Sequence, residues 1–249
     1  MGREATSDTL QRNIHASYNE ALMTPPLSTA DAAGSLAVLV SGGLDSAILL
    51  AESSGLYPAV WPLYVRFGLF WEKDELHHLR HFLAAIRTTV LKPLTILEMP
   101  VADLYGPHWS LTGEGVPAAG TPDAAVFLPG RNVMFLAKAM LWCHLRDVPA
   151  LALAPLESNP FPDATTAFFT AYQETVNQAI GGKVRVVQPY RGLHKEAVLQ
   201  RGRYLPLQWT FSCMRPIEGR HCGACNKCAE RQNAFARADY PDPTAYHRE

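Results

Sequence analysis

No part of the chain approaches the roughly eighteen uninterrupted apolar residues that suggest a membrane span, and the N-terminus has no apolar core of the signal-peptide kind. The expectation is a cytoplasmic protein with no membrane partner. Charge of one sign is not in excess either: 22 basic residues stand against 23 acidic ones, so bulk electrostatics gives no reason to expect nucleic acid. No internal repeat appears. The signature G-x-x-x-x-G-K-[ST] is missing, and the only G-x-G-x-x-A, from Gly113 to Ala118, lacks a preceding strand and has Pro117 where a helix would have to continue. Those two nucleotide sites are set aside. What the chain does have is 249 residues, 48% of them hydrophobic, which suffices for one large domain or a domain with a small appendage.

The most informative stretch is Val38-Leu39-Val40-Ser41-Gly42-Gly43-Leu44-Asp45-Ser46, an apolar run that stops at two glycines and restarts as Ala47-Ile48-Leu49-Leu50. It reads as strand, tight loop, helix. Glycine lets the backbone turn and approach a ligand, while the first N–H groups of the helix, its dipole and two serine hydroxyls face one spot. Phosphate is the natural guest of such a loop. The plain alternative is a β–α turn in which Ser41 or Asp45 caps the helix, but a cap needs neither both glycines nor both serines.

Met1 to about Gly34 is polar and interrupted by Thr24-Pro25-Pro26, and is expected to be a loose tail. A second strand is expected over Ala59–Phe67, broken by Pro62 near its start, then a helix over Glu72–Val90 and a third strand over Leu94–Met99. Tyr105–Pro129 is rich in glycine and proline, aperiodic, and too long for a simple connector, which suggests a functional lid or a disordered segment. A buried helix over Val133–Leu145 follows, then a strand at Leu151–Ala154, a helix over Asp163–Ala179, a strand at Val184–Val187 and a short helix over His194–Gln200. This alternation implies right-handed βαβ units: an α/β fold with a doubly wound, mainly parallel five-stranded sheet. The expected division is a tail over residues 1–34, a nucleotide domain over 35–205 and a small lobe over 206–249.

Four of the five cysteines, Cys213, Cys222, Cys225 and Cys228, form C-x8-C-x2-C-x2-C. Four thiolates close a tetrahedral shell suited to structural Zn²⁺. A disulfide pair is one rival, at odds with the missing secretory signal. An iron–sulfur cluster is the other, although the bacterial ferredoxin run places its fourth cysteine downstream with a proline, not upstream. Cys143, alone on an apolar helix, reads as a small core residue.

The Ser41–Ser46 loop resembles the pyrophosphate loop of the ATP pyrophosphatase superfamily, which splits ATP between its α and β phosphates. With Leu128-Pro129-Gly130-Arg131-Asn132 before a helix, Leu193-His194-Lys195, and Thr210-Phe211-Ser212-Cys213 leading to His221-Cys222-Gly223-Ala224-Cys225-Asn226-Lys227-Cys228, the chain resembles the 7-cyano-7-deazaguanine synthase family of queuosine biosynthesis. The resemblance implies an adenine nucleotide hydrolase-like sheet with a zinc lobe. It also implies ATP with Mg²⁺, a 7-deazaguanine carboxylate and ammonia as small-molecule partners, and allows a homodimer. It assigns ATP to Val40, Ser41, Gly42, Gly43, Leu44, Asp45, Ser46, Arg131, Asn132 and Lys195, with catalysis carried by Ser41, Asp45, Ser46 and Lys195. Phe67 and Asp163 are expected at the acceptor.

Two departures from the family pattern stand out. Where members usually carry Asp-Tyr-Gly-Gln with a nearby histidine, this chain has Arg66-Phe67-Gly68-Leu69-Phe70-Trp71; where they carry Pro-Asp-Cys-Arg, it has Pro162-Asp163-Ala164-Thr165. The expectation is an acceptor that differs from 7-carboxy-7-deazaguanine, or one bound in a rearranged way. Two rival readings stand beside the synthase: another ATP pyrophosphatase acting on a different carboxylate or a tRNA base, and a non-catalytic nucleotide-binding zinc module. Taken without the family, Lys195 reads as a solvated helix residue, Arg131 and Asn132 as caps, and His77, His78 and His81 as a solvated helix face.

Overall fold

A computed structural model describes residues 34–247. Its sheet has five parallel strands, β1 (Leu36–Leu39), β2 (Val60–Arg66), β3 (Thr95–Glu98), β4 (Ala150–Ala152) and β5 (Arg185–Val187), in the order β3-β2-β1-β4-β5. The main helices are α1 (Leu44–Leu56), α2 (Glu72–Ala85), α3 (Arg131–His144), α4 (Thr166–Ile180), α5 (Lys195–Arg201) and α6 (Asn226–Arg237). The expected tail over Met1 to about Gly34 lies outside the described residues but for Gly34.

Successive residues of a strand point to opposite faces, and β1 divides its apolar run between two cores accordingly. Leu36 and Val38 pack in one layer with Ile48, Leu79, Phe82, Val198 and Phe235. Ala37 and Leu39 enter the other, with Leu136, Met140, Cys143 and Phe169. Cys143 is fully buried there, and burial pushes its thiol up to about 12. Because β1 is central and buried on both sides, its sequence is a continuous apolar run and not an alternation.

Pro62 does not break β2. Val60 bonds to the Val90 and Lys92 side of the strand, Pro62 faces the same way two residues later, and pairing with β3 begins only at Leu63. The missing N–H therefore falls where no ladder bond is needed. Helix α2 stops earlier than its periodicity suggests: it ends at Ala85, before the β-branched run Thr88-Thr89-Val90, where Thr88 Oγ1 accepts from the Leu91 amide.

Strand order reverses beside β1, where the chain leaves β1 for β2 on one side and β4 lies on the other. A doubly wound sheet opens a crevice at that point, beyond the carboxyl ends of its strands. Three segments close over it. The stretch between β3 and α3 is folded into two single helical turns, Ala102–Tyr105 and Trp109–Thr112, and a 3-10 turn, Asp123–Val126. It is fastened to the cysteine segment by Ala119 N–H donating to Ala224 O at 2.8 Å and Asn226 N–H donating to Pro117 O at 2.9 Å. The third segment is α6, whose Ala234 and Phe235 enter the first core.

Candidate active site

The loop after β1 has the expected strand–loop–helix form. Gly42 has φ of 71°, and a Cβ there would sit 2.8 Å from Glu75 Cγ, so both its backbone conformation and its surroundings require glycine. Gly42 O accepts from the Phe211 amide at 2.7 Å, tying the loop to the C-terminal segment. No side chain caps α1. Ser41 and Ser46 instead engage each other, Oγ to Oγ at 3.2 Å, with the Ser41 amide donating to Ser46 Oγ at 3.1 Å. The capping alternative is thus absent, and the helix N-terminus faces a cavity of about 220 Å³.

Ser41, Gly43, Leu44, Asp45, Arg131 and Lys195 line that cavity. Val40, Gly42 and Ser46 lie behind them as the buried frame of the loop, Val40 donating to Leu63 O at 2.9 Å. Lys195, at the start of α5, is no solvated residue: its Nζ donates to Asp45 Oδ2 at 2.7 Å and to Glu230 Oε1 at 3.0 Å. Lys227 Nζ reaches the other oxygen of Glu230 at 2.5 Å. Burial works against the Lys195 charge, but Asp45 and Glu230 outweigh it and hold the ammonium above its ordinary range. In turn Lys195, aided by Lys227, holds Glu230 at about 2 against the opposing effect of burial. The four side chains form a wall shared with a second cavity of about 500 Å³, which opens toward Asn159, Phe161 and His194.

Arg131 opens α3 after Gly130, whose φ is 76°. Its guanidinium lies over the Phe135 ring, 4.9 Å from the centroid, and its Nε is buried without a hydrogen-bond partner among the described residues. A half-buried cation with a spare, buried donor at a cavity wall is suited to an anion. Asp45 Oδ1 is likewise buried and unpartnered, an oxygen available to a cation. Asn132 and Asp163 are brought together, but not at the cavity: Asp163 Oδ2 accepts from the Asn132 amide at 3.1 Å, and Asn132 Nδ2 donates to Asp163 O at 3.0 Å. Asp163 therefore caps α3 and fixes the turn from which Arg131 projects.

Of the segment Arg66–Trp71, only Trp71 reaches the cavity. The Phe67 ring is in the core, 4.8 Å from that of Phe135, and its amide donates to Glu72 at 2.6 Å. Arg66 pairs with Glu98 at 3.0 Å on the exposed side of the sheet. Trp71 stacks with Trp109, centroids 5.9 Å apart, and both indoles line the cavity. The aromatic surface offered to a planar ligand is this pair and not Phe67.

In the histidine row His77 and His81 are exposed, as a solvated face requires, while His78 is half-buried. His78 packs its ring 4.8 Å from Phe211 and bonds to Gly219 O at 3.1 Å, while His81 stacks on Trp209 at 4.4 Å. Burial lowers the His78 pKa. The row holds the C-terminal segment against α2 and, among the described residues, forms no group of metal-ligating side chains.

All five cysteines are free thiols, and the sulfurs of Cys213, Cys222, Cys225 and Cys228 lie within 4.8 Å of one another. Cys222 and Cys228 approach to 3.9 Å, close to the about 3.8 Å separation of sulfurs bound tetrahedrally at 2.3 Å to one ion. Backbone amides of Arg215 and Cys222 donate to Cys213 sulfur at 3.3 and 3.2 Å, and that of Ala224 to Cys222 sulfur at 3.4 Å. Such donors favour thiolates, so the four residues fit a divalent metal ion.

Sequence reasoning passed over Glu75, Trp109, Lys227 and Glu230, all of which line the cavity. Glu75 did carry a signal. It stands one helical turn before Leu79 and two before Phe82, a carboxyl on the buried face of α2, and burial is rarely tolerated for that group without a role. Lys227 and Glu230 are marked only by following the cysteine run into a helix.

Residues 35–239 match the family described as queuosine biosynthesis protein QueC. The 7-cyano-7-deazaguanine synthase of Chlorobaculum tepidum is 30% identical over 222 residues, covering 84% of this chain and 95% of that protein. That of Pseudomonas aeruginosa strain LESB58 is 30% identical over 225 residues, covering 84% and 96%. Among solved structures, a 4-thiouridine synthetase–RNA complex with bound ATP covers 83% of this chain and 50% of that chain at 14% identity, with a TM-score of 0.44. The U34-tRNA thiolase NcsA from Methanococcus maripaludis, with its 4Fe-4S cluster, covers 95% and 76% at 13% identity, with a TM-score of 0.43.

Proposed function

The chain belongs to the QueC family of queuosine biosynthesis proteins, and on that premise we propose that it is an ATP-dependent carbon–nitrogen ligase that converts 7-carboxy-7-deazaguanine and ammonia into 7-cyano-7-deazaguanine. A carboxylate resists attack because its leaving group would be oxide. Joined to AMP it leaves as a phosphate monoester, and ammonia can displace it to give an amide. A second ATP activates the amide oxygen, whose loss as AMP leaves the nitrile. Both activations displace pyrophosphate from the α-phosphorus, so the protein must hold ATP in line and neutralise charge on the departing group.

The observation that carries this reading is the convergence on one cavity of the uncapped N-terminus of α1, the Lys195 ammonium and the half-buried Arg131 guanidinium. The amides of the loop with Ser41 and Ser46 take the pyrophosphate, their mutual hydrogen bonds giving way to bonds with phosphate oxygens. Asp45 presents Oδ1 to Mg²⁺ and keeps Lys195 at the rim through Oδ2. Arg131, fixed by the Asn132–Asp163 cap, takes phosphate or carboxylate oxygens. Trp71 and Trp109 supply the apolar wall for a planar ring. The four cysteines hold Zn²⁺, which supplies no chemistry to the reaction and staples the segment that carries Lys227, Glu230 and the fastening of the Trp109 loop.

The test is incubation with ATP, Mg²⁺, ammonium and 7-carboxy-7-deazaguanine, read by mass spectrometry. Nitrile with AMP and pyrophosphate is the expected product set. Amide alone would confine the enzyme to the first activation, and release of ADP and phosphate without AMP would overturn the mechanism.

A further inference from the structure

Ammonium is the form of ammonia that dominates near neutral pH, and it has no lone pair with which to attack. A ligase that uses it needs a proton acceptor at the reacting centre. Among the described residues no histidine lines the cavity, and the candidates there are three carboxyl groups: Asp45, Glu75 and Glu230. Asp45 and Glu230 are both held by Lys195, and Glu230 by Lys227 as well, so their negative charge is already matched. Glu75 is in no ion pair among the described residues. Its side chain lines the same cavity as the phosphate loop, with its Cγ packed where Gly42 leaves room for it. One oxygen, Oε2, takes the Tyr64 hydroxyl; the other has no donor among the described residues.

From this geometry we infer that Glu75 receives the nitrogen nucleophile, its free Oε1 taking one proton from ammonium inside the cavity so that ammonia forms beside the adenylated carboxylate. The inference rests on the ligase reading above. In the step, one N–H bond of ammonium breaks and its electron pair stays on nitrogen, while the proton goes to Glu75. The nitrogen pair then forms a bond to the acyl carbon, the carbon–oxygen bond to AMP breaks with its electrons leaving on AMP, and the surplus proton on nitrogen passes to a phosphate oxygen of the leaving AMP. No oxidant or reductant is required.

The single free oxygen also argues against the competing use of Glu75, recognition of the paired N–H donors of a guanine-like edge, for which two acceptors side by side would serve better. The groups facing Glu75 are the Tyr64 hydroxyl from β2, Glu72 from its own helix and Arg131 from α3. Burial is the largest influence, countered by the Tyr64 hydrogen bond and Arg131, and it pushes the carboxyl up to about 8; the ionised fraction, which grows as pH approaches that value, is the form that accepts from ammonium.

Hydroxylamine is largely unprotonated at neutral pH and needs no such acceptor. In the holoenzyme, Glu75→Gln keeps the shape and an acceptor for Tyr64. At about pH 7.5 it should lower ammonium-dependent amide formation on the order of 100-fold, the scale of a general base, while hydroxamate formation from hydroxylamine stays within about threefold. Carboxylate-dependent pyrophosphate exchange into ATP, which needs no nitrogen, should be unchanged. Equal loss with both nucleophiles, or a rise in KM for the carboxylate instead, overturns the role of Glu75 while leaving the ligase intact. Wild-type protein that exchanges no pyrophosphate with any carboxylate overturns the ligase reading, and the assignment of Glu75 with it.

Discussion

The Lys195 ammonium lies 2.7 Å from Asp45 Oδ2, which joins the first turn of α5 to the first turn of α1 at the edge of the phosphate loop. The pair is only part of a chain that continues through Glu230 to Lys227, and it holds a cation in the cavity before any ligand arrives. A cation fixed in advance costs no reorganisation when charge develops on a departing pyrophosphate.

Lys195→Met should therefore lower carboxylate-dependent AMP formation on the order of 100-fold, roughly 3 kcal/mol, with a much smaller change in ATP affinity. Single-turnover kinetics beside equilibrium nucleotide binding separates the two. Thermal stability should fall as well, because Asp45 and Glu230 lose the charge between them. An ATP affinity that collapses while the chemical step survives would make Lys195 a binding group only.

Asp163→Ala tests a role that differs from contact with the acceptor. Its carboxylate caps α3 and pins Asn132, so its loss should destabilise the protein by about 1 kcal/mol, the value of an N-cap. Arg131 then projects from a looser turn, and affinity for the anion it binds should weaken several-fold. Asp163→Asn, which keeps an acceptor, should recover most of the thermal stability. Normal stability with selective loss of acceptor binding would return Asp163 to the ligand.

What could be read in the sequence follows the range of the interactions involved. The Ser41–Ser46 loop and the cysteine run are local: neighbouring residues supply their geometry, and the spacing reveals it. The five strands were legible because a buried parallel sheet needs apolar runs. Phe67 and Trp71 were not separable in this way. They are four residues apart at the same strand end, and only the turn held by Glu72, which accepts from the amides of Phe67 and Gly68, sends one ring to the core and the other to the cavity. Lys195 lies 150 residues from Asp45, and its environment depends on packing that no local pattern encodes.

The cysteine site should govern the Trp109 loop as well as its own segment. Cys225→Ser should release one equivalent of Zn²⁺, detected by metal analysis, and lower the melting temperature. The backbone bonds from Ala224 and Asn226 to Ala119 and Pro117 would loosen with it, so limited proteolysis should open new cuts near Gly113–Gly120. Iron with visible absorbance in the wild-type protein would replace zinc by a cluster, and a loop that remains protected in Cys225→Ser would show that the site does not hold it.

The last expectation concerns stability and pH, and it isolates Glu75 without any substrate. Burial raises its carboxyl from 4.5 to about 8, with the Tyr64 hydrogen bond and Arg131 opposing the rise. The folded protein thus keeps a proton on Glu75 over a range in which the unfolded chain has lost it. The contribution of this group is fully present below 4.5 and is lost as pH rises through about 8. Glu75→Gln cannot titrate. Its stability relative to wild type should therefore grow with pH over this interval and level off by about pH 9, with a total change on the order of a few kcal/mol. Denaturant melts of both proteins from about pH 5 to pH 9 measure the difference directly. Parallel curves would mean that Glu75 is ionised throughout, so that burial does not bring its carboxyl into the range that matches it to ammonium.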